Sequence, residues 1–275
     1  MDAQLDDSLT RISAAKQIVD DADLLASIAQ EFPLSSQTSD NDKLVLLKIR
    51  DIFRSWPSYN YVEIGSYLGG SLVPFCRDEH CGNILSIDDR GRDQPDERGA
   101  NYDYTAITTR MMIDNLAEQG VPETRVNTFD GSISECDALV LKYDLMMIDG
   151  EHTNWACFRD FVHGQKLLAE SAIVMFHDTS LVFNALKIIR EHLKASKTEF
   201  VFFKERHSDI SFILLNEYCK TGLEKLFEVE PNIEEYERST ERNLAIQFIH
   251  NKTRMPRRQV KQLIRRQEKV ASQKQ

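Results

Sequence analysis

The chain has 275 residues, 41% hydrophobic, 9% aromatic and 28% charged, with 11 Gly and 7 Pro, a globular mixture that excludes collagen-like and low-complexity chains. Lys plus Arg number 34 against 44 Asp plus Glu, and the net charge of −10 disfavours nucleic acid as the main partner, because phosphate binding needs a broad cationic footprint. No apolar run approaches the roughly 20 residues of a membrane span, and the acidic start MDAQLDDSLT lacks the apolar core of a secretory signal, so a cytoplasmic protein without integral membrane association is expected.

In residues 4–30, Leu5, Leu9, Ile12, Val19, Leu24 and Ile28 recur at near-helical spacing. Residues 42–54 read as a second helix that ends at Trp56-Pro57. Residues 1–57 are thus expected as a helical extension that covers a core face or builds a homodimer contact. From Tyr59 an alternation sets in. Strands are expected at 60–65, 83–88, 125–129, 143–150 and 171–178, with helices over Gly69–Arg77, Asp103–Gln119, Asn154–Ala169 and Leu181–Leu193. Residues 200–205 and 210–216 read as a closing antiparallel pair around Arg206–Asp209, with His207 exposed in the turn. Continuous apolar strands between amphipathic helices predict a doubly wound, mostly parallel sheet covered on both faces, an α/β fold spanning residues 58–218. Residues 219–250 are acidic and amphipathic and are expected to pack on the domain as a helical segment. The last 25 residues hold nine Lys/Arg and one Glu, so they carry +8 and the first 250 carry −18. This tail is expected to be solvated and partly disordered, with an acidic partner as its alternative use. Five scattered Cys, odd in number and without CxxC, read as reduced thiols, with no zinc site and no disulfide framework.

In such a sheet, ligands bind at the carboxyl ends of the strands. Gly65 to Ser71, Asp88, Asp130 to Ser132, Asp149 to His152 and His177-Asp178 all follow strands. Gly65 permits a tight turn, and Gly69 and Gly70 permit close backbone approach by a ligand. The helix after them is expected to offer free N–H groups to an anion. The fingerprint G-x-G-x-x-G is not met, because position 67 is Tyr. Asp88, 25 residues after Glu63, is placed to accept two ribose hydroxyls, although Asp89 stands beside it. The loop with this acid points to a nucleoside-type cofactor.

The stretch VEIGSYLGGS resembles motif I of class I S-adenosylmethionine-dependent methyltransferases. It is most similar to small-molecule O-methyltransferases of the catechol type and to the branch with macrolide-sugar O-methyltransferases and cephalosporin-hydroxylase-like proteins. The resemblance covers residues 58–216. It implies a Rossmann-like seven-stranded sheet, a reversed last hairpin and S-adenosyl-L-methionine as cofactor. It implies that Glu63, Gly65, Ser66, Tyr67 and Ser71 surround the methionine part, with Asp149 nearby. It implies further that Asp88 holds the ribose and that Asp130, Gly131 and Ser132 border the adenine. The metal-dependent members place a divalent ion, Mg²⁺ or Mn²⁺, on positions that here are Asp149, His177 and Asp178. The general base of those members falls on His152. His177 departs from the pattern, which has an acid or amide there. Two carboxylates and an imidazole suit Mn²⁺, Fe²⁺ or Zn²⁺ as well as Mg²⁺, and a metal-free site with histidine as base stays open.

The implied reaction is O-methylation of a small-molecule or saccharide acceptor, with Asp149, His152 and Asp178 as catalytic residues. Two other functions stand beside it. One is a nucleotide-sugar oxidoreductase, weakened by the missing glycine fingerprint and the lack of a Y-x-x-x-K pair. The other is a non-catalytic cofactor-binding protein that recruits a partner through its tail. Arg90, Arg92 and Arg98 in the loop Asp89–Asn101 read as solvated or as holding an anionic substrate group, and Tyr102, Tyr104 and Trp155 as core or as walls of an acceptor pocket.

Overall fold

The computed structural model describes residues 21–136 and 141–272. The expected helix over residues 4–30 therefore lies partly outside the described residues. Its described part is α1 (Asp21–Glu31), followed by α2 (Asp40–Arg54). Ser39 starts α2 with a reciprocal cap: its side chain accepts from Asp42 N, and the Asp42 carboxylate accepts from Ser39 N. Leu46, Leu47, Ile49, Ile52 and Phe53 of α2 are wholly buried in the core of this chain. Their apolar face covers the sheet, the first of the two uses expected for it.

The main sheet contains β1 (Tyr59–Ile64), β2 (Cys81–Asp88), β5 (Val126–Asp130), β6 (Tyr143–Ile148), β7 (Leu168–Phe176), β8 (Phe200–Lys204) and β9 (Ser211–Leu215). Their order is β5-β2-β1-β6-β7-β9-β8. The first five run parallel, and β9 pairs antiparallel with both β7 and β8. This is the doubly wound sheet with the reversed last hairpin that the sequence predicts. Successive side chains of a strand point to opposite faces. Tyr61, Leu145, Met147, Ile173 and Met175 accordingly feed the core beneath α1 and α2. Val62, Met146, Ile148, Val174 and Phe176 feed the core on the other face, beneath α5 (Asn154–Gly164) and α6 (Thr179–Ala195). A strand buried on both faces has no polar alternation, which is why these segments read as continuous apolar runs.

Three expected helices are shorter, the one over Asn154–Ala169 ending at Gly164 because β7 begins at Leu168. The one over Gly69–Arg77 contracts to α3 (Val73–Cys76), because left-handed Tyr67 (φ 47°) and Gly69 (φ 86°) coil the chain before it. The donor surface here is a loop rather than a helix N-terminus. The helix over Asp103–Gln119 contracts to α4 (Thr109–Glu118), capped by the Thr108 side chain. Asp103 closes its own turn onto Thr105, and the preceding residues form a small hairpin, β3 (Asp93–Pro95) with β4 (Asn101–Asp103).

After β9 the chain forms α7 (Ile233–Thr253), packed on α6 through Arg190 and Lys187 against Glu237. The tail expected to be solvated and partly disordered forms α8 (Arg257–Ser272), with Val260 wholly buried as its anchor. A short stripe beginning at Val260 suffices once α7 supplies a facing surface. α7 also grips the hairpin tip. Asn251 Nδ2 donates to Arg98 O at 2.9 Å, and a Cβ on Gly99 (φ 69°) would stand 2.7 Å from Lys252 Cε. Among the described residues, no helix is long and apolar enough to cross a membrane.

Candidate active site

The sheet ladder runs one residue past the strand ends on a single rim. Gly65 N donates to Ile87 O, Asp149 N to Ile64 O, His177 N to Ile148 O and Gly131 N to Asp88 O. Five loops therefore leave the rim side by side, as the strand-end acids and glycines predict. Gly65 (φ 92°) is obligatory, because a Cβ there would lie 2.1 Å from the Asp149 carbonyl oxygen. That absence of a side chain lets the β1 and β6 loops touch.

Gly65, Ser66, Tyr67, Ser71, Asp149, His152, His177 and Asp178 line one cavity of about 280 Å³. Ser66 Oγ is buried without a partner at its wall. Glu63 lies one layer behind, wholly buried, accepting from Ser71 Oγ and from Tyr61 Oη at 2.6 Å. Burial pushes its carboxyl up to about 7, against the pull of those two bonds. Glu63 is thus a support for Ser71 rather than a wall of the cavity. Asp88 accepts from Tyr67 N at 2.7 Å and lies 3.5 Å from Arg90 Nη2, both through Oδ2. Its burial raises its pKa, while Arg90 opposes that shift. Asp89 instead pairs with Arg92 at 2.8 Å. Asp130 accepts from Thr109 Oγ1 and lies 3.3 Å from Arg90 Nη1, beside Gly131 (φ 143°) and Ser132, which caps the next turn. Asp88, Asp130, Gly131 and Ser132 therefore lie along the rim outside this cavity, tied together by Arg90.

Three chemically active groups converge. Ligand atoms of Asp149, His152 and Asp178 all lie within 4.8 Å of one another. His152 Nε2 stands 3.0 Å from Asp178 Oδ2 and 3.6 Å from Asp149 Oδ1. Burial opposes charge on this imidazole, yet its bonds to Asp149 and Asp178 prevail and push it up to about 10. Held so, His152 is an imidazolium that donates and does not accept a proton. Asp178 sits in the left-handed region (φ 49°), backbone strain that aims its carboxylate at His152. Burial would raise the Asp149 and Asp178 carboxyls, but the neighbouring imidazoles hold both below the usual range.

His177 stands beside this trio, its Nδ1 3.7 Å from Asp178 Oδ2. Its Nδ1 contacts Asp149 Oδ1 at 2.9 Å, and its Nε2 lies 3.4 Å from Asp42 Oδ2 on α2. Burial disfavours its charge, and the carboxylates of Asp149 and Asp42 overcome that and raise its pKa well above the ordinary value. The structure thus brings the expected Asp149, His177 and Asp178 together and adds His152 to the same two carboxylates. His177 Nε2, though 3.4 Å from Asp42, is buried without a hydrogen bond, and His152 is the imidazole grouped with Asp149 and Asp178.

Of the three loop arginines, Arg98 alone lines the cavity. It is held by Asp96 and by the Tyr102 hydroxyl. Tyr102 and Tyr104 form the cavity wall with it, whereas Trp155 lies outside, 71% exposed. The sequence reading missed Asp42 and the cavity-lining linker Ser35–Thr38. The run SSQTSD was a visible polar signal, but its contact with His177 spans 135 positions, from 42 to 177, and no local pattern encodes it.

Residues 62–179 match the family model described as a methyltransferase domain. The match covers less than half of the chain, and the fold around it is the Rossmann-like fold of methyltransferases. The chain's fold resembles that of the O-methyltransferase NovP, with a TM-score of 0.53 at 12% identity, over 78% of this chain and 98% of that one. The O-methyltransferase TomG from Streptomyces achromogenes gives 0.46 at 16% identity, over 72% and 90%. A caffeoyl-CoA O-methyltransferase assignment from Staphylococcus aureus gives 0.48 at 17%, over 76% and 99%. A comparison with curated proteins finds no match. The methyltransferase match ends at Thr179, so Asp178 falls within it, whereas Asp42 and the β8–β9 turn fall outside.

Proposed function

We propose that this methyltransferase transfers a methyl group from S-adenosyl-L-methionine to a hydroxyl of a small molecule or saccharide, with a divalent cation assisting. The convergence of Asp149, His152 and Asp178 at the wall shared with Gly65, Ser66, Tyr67 and Ser71 carries this reading. The loop Gly65–Ser71 surrounds the methionine part of the donor, Ser66 Oγ offering a buried polar atom to it. Asp88 takes the ribose hydroxyls through its remaining oxygen, and Asp130, Gly131 and Ser132 border the adenine. Asp149, His152 and Asp178 would hold Mg²⁺ or Mn²⁺, since two carboxylates and an imidazole within this spacing form a suitable donor set. Such an ion, when bound, lowers the pKa of an acceptor hydroxyl.

The chain's own residues do the rest. Asp149 and Asp178 orient the hydroxyl toward the donor loop. His177, clamped by Asp42 and Asp149, fixes the Asp149 carboxylate. A ligating imidazole must be neutral, so a bound cation would displace the proton that Asp149 and Asp178 hold on His152, and cation binding should weaken as pH falls. Calorimetry should show S-adenosylmethionine binding that Asp88→Ala weakens strongly. Transfer of a radiolabelled methyl group to a panel of sugars and phenols should fall in EDTA and return with Mg²⁺ or Mn²⁺. Asp178→Asn should abolish this transfer while keeping donor binding. Binding of NADH in place of the sulfonium would overturn the reading, and full activity in EDTA would remove the cation from it.

A further inference from the structure

The strand order fixes what lies beyond the reacting groups. Along the rim, the donor loops stand on β5, β2 and β1, and the reacting residues on β6 and β7. Next comes β9, whose Ser211 pairs with Phe176, so the β8–β9 turn stands beside His177 on the side away from the donor. A second cavity, of about 510 Å³, opens there and shares Gln37, His177 and Asp178 with the first.

This cavity has spare donors and occupied acceptors. Lys204 Nζ, only 3% exposed, donates to Glu205 O and Ser208 O, and an ammonium has a third N–H to give. Tyr236 Oη is buried without a hydrogen-bond partner. Arg206 is exposed, and its guanidinium forms no ion pair among the described residues. The carboxylates are already engaged. Asp42 accepts from Ser39 and from Asp209 N, Asp209 accepts from Ser180 N and Oγ, and Glu228 holds His207. A buried hydroxyl left unpaired is destabilising, so native sites of this kind are completed by water or ligand. The groups left open, from β8, the turn and α7, are two cations and a hydroxyl that can donate.

We propose that this second cavity is the distal subsite for the methyl acceptor, and that the acceptor carries an acidic group, a carboxylate or a phosphate, bound by Lys204, Arg206 and Tyr236. The proposal rests on the transferase reading above, since it places the acceptor hydroxyl at Asp149 and Asp178. An acceptor extending from there along the rim enters this cavity and meets the three donors.

The test uses the full chain with S-adenosylhomocysteine bound, titrated with inorganic phosphate and with acetate and followed by NMR chemical shifts. At least one anion should bind, and the better of the two identifies the acidic group. Arg206→Ala should weaken that binding at least about tenfold, Arg206→Lys should retain part of it, and Tyr236→Phe should weaken it about threefold, all with unchanged S-adenosylhomocysteine affinity. In methyl transfer, glucuronate or glucose 6-phosphate should outperform glucose, and Arg206→Ala should erase that preference through KM. If neither anion binds, or if both bind equally well to Arg206→Ala, the subsite is overturned while donor binding still supports the transferase. If the sulfonium itself does not bind, the transferase reading fails first.

Discussion

Glu63 offers the sharpest quantitative test, because it is a carboxyl with no exposed surface whose pKa stands at about 7 against an ordinary 4.5. Below pH 4.5 it is protonated in folded and unfolded chains alike, and its burial costs nothing electrostatic. Between pH 4.5 and 7 the unfolded chain releases the proton and the folded chain keeps it. The folded state then binds more protons, so stability falls as pH rises, by about 1.4 kcal/mol per pH unit. Over the window of about 2.5 units the loss is about 3 kcal/mol, and above pH 7 it stays constant. Glu63→Gln keeps the shape of the neutral carboxyl and cannot ionise. The variant should therefore gain on the native chain by roughly 2–3 kcal/mol between pH 5 and pH 8, whatever constant offset the amide brings at Ser71 and Tyr61. Urea unfolding at half-unit pH steps measures that difference, and thermal midpoints should diverge by roughly 2–4 °C per kcal/mol. A stability difference that stays flat across the window would refute an uncharged Glu63 beneath the donor loop.

Gly65→Ala combines a left-handed backbone with a Cβ placed 2.1 Å from the Asp149 carbonyl oxygen. It should cost about 3 kcal/mol or more in urea unfolding and remove donor binding in calorimetry, and an unchanged midpoint would show that the two loops do not touch. Arg125 donates to the carbonyls of Phe75, Cys76, Asp78, Cys81 and Gly82, tying α3 to the start of β2. Arg125→Met should destabilise by about 3 kcal/mol or more, since hydrogen bonds to charged groups contribute about 1.5–3 kcal/mol each, and a loss below about 1 kcal/mol would contradict that assignment.

The rim was legible because the inner parallel strands β1, β2, β6 and β7 are largely buried on both faces and then break abruptly into acids and glycines. Ile64-Gly65, Ile87-Asp88, Ile148-Asp149 and Phe176-His177 all mark that change in a single residue step. Roles within the site were less legible. Asp149, His152, His177 and Asp178 were all named, yet a spacing of three or of 28 residues does not say which imidazole groups with both carboxylates. Asp42 decides it by engaging His177 from behind, and its sequence context signals only a helix start. Glu63 reads as a ligand contact from its place in the motif, but strand alternation and the Tyr61 hydroxyl turn it inward. The basic tail reads as solvated because its own apolar stripe is brief, and the surface that receives Val260 is a different helix.

The contact between Asn251 and the Arg98 carbonyl has a practical consequence for anyone trimming this protein. The stretch that matches the methyltransferase domain stops at residue 179, and a cloned fragment of that length would keep every rim loop from Gly65 to Asp178. It would nonetheless lose the splint that holds Gly99 against Lys252 and Phe248, and with it the set of Arg98, Tyr102 and Tyr104 over the reacting groups. A fragment that short would also lack α6, β8 and β9, so the support that the last helices give the hairpin can be probed only by cuts made after β9.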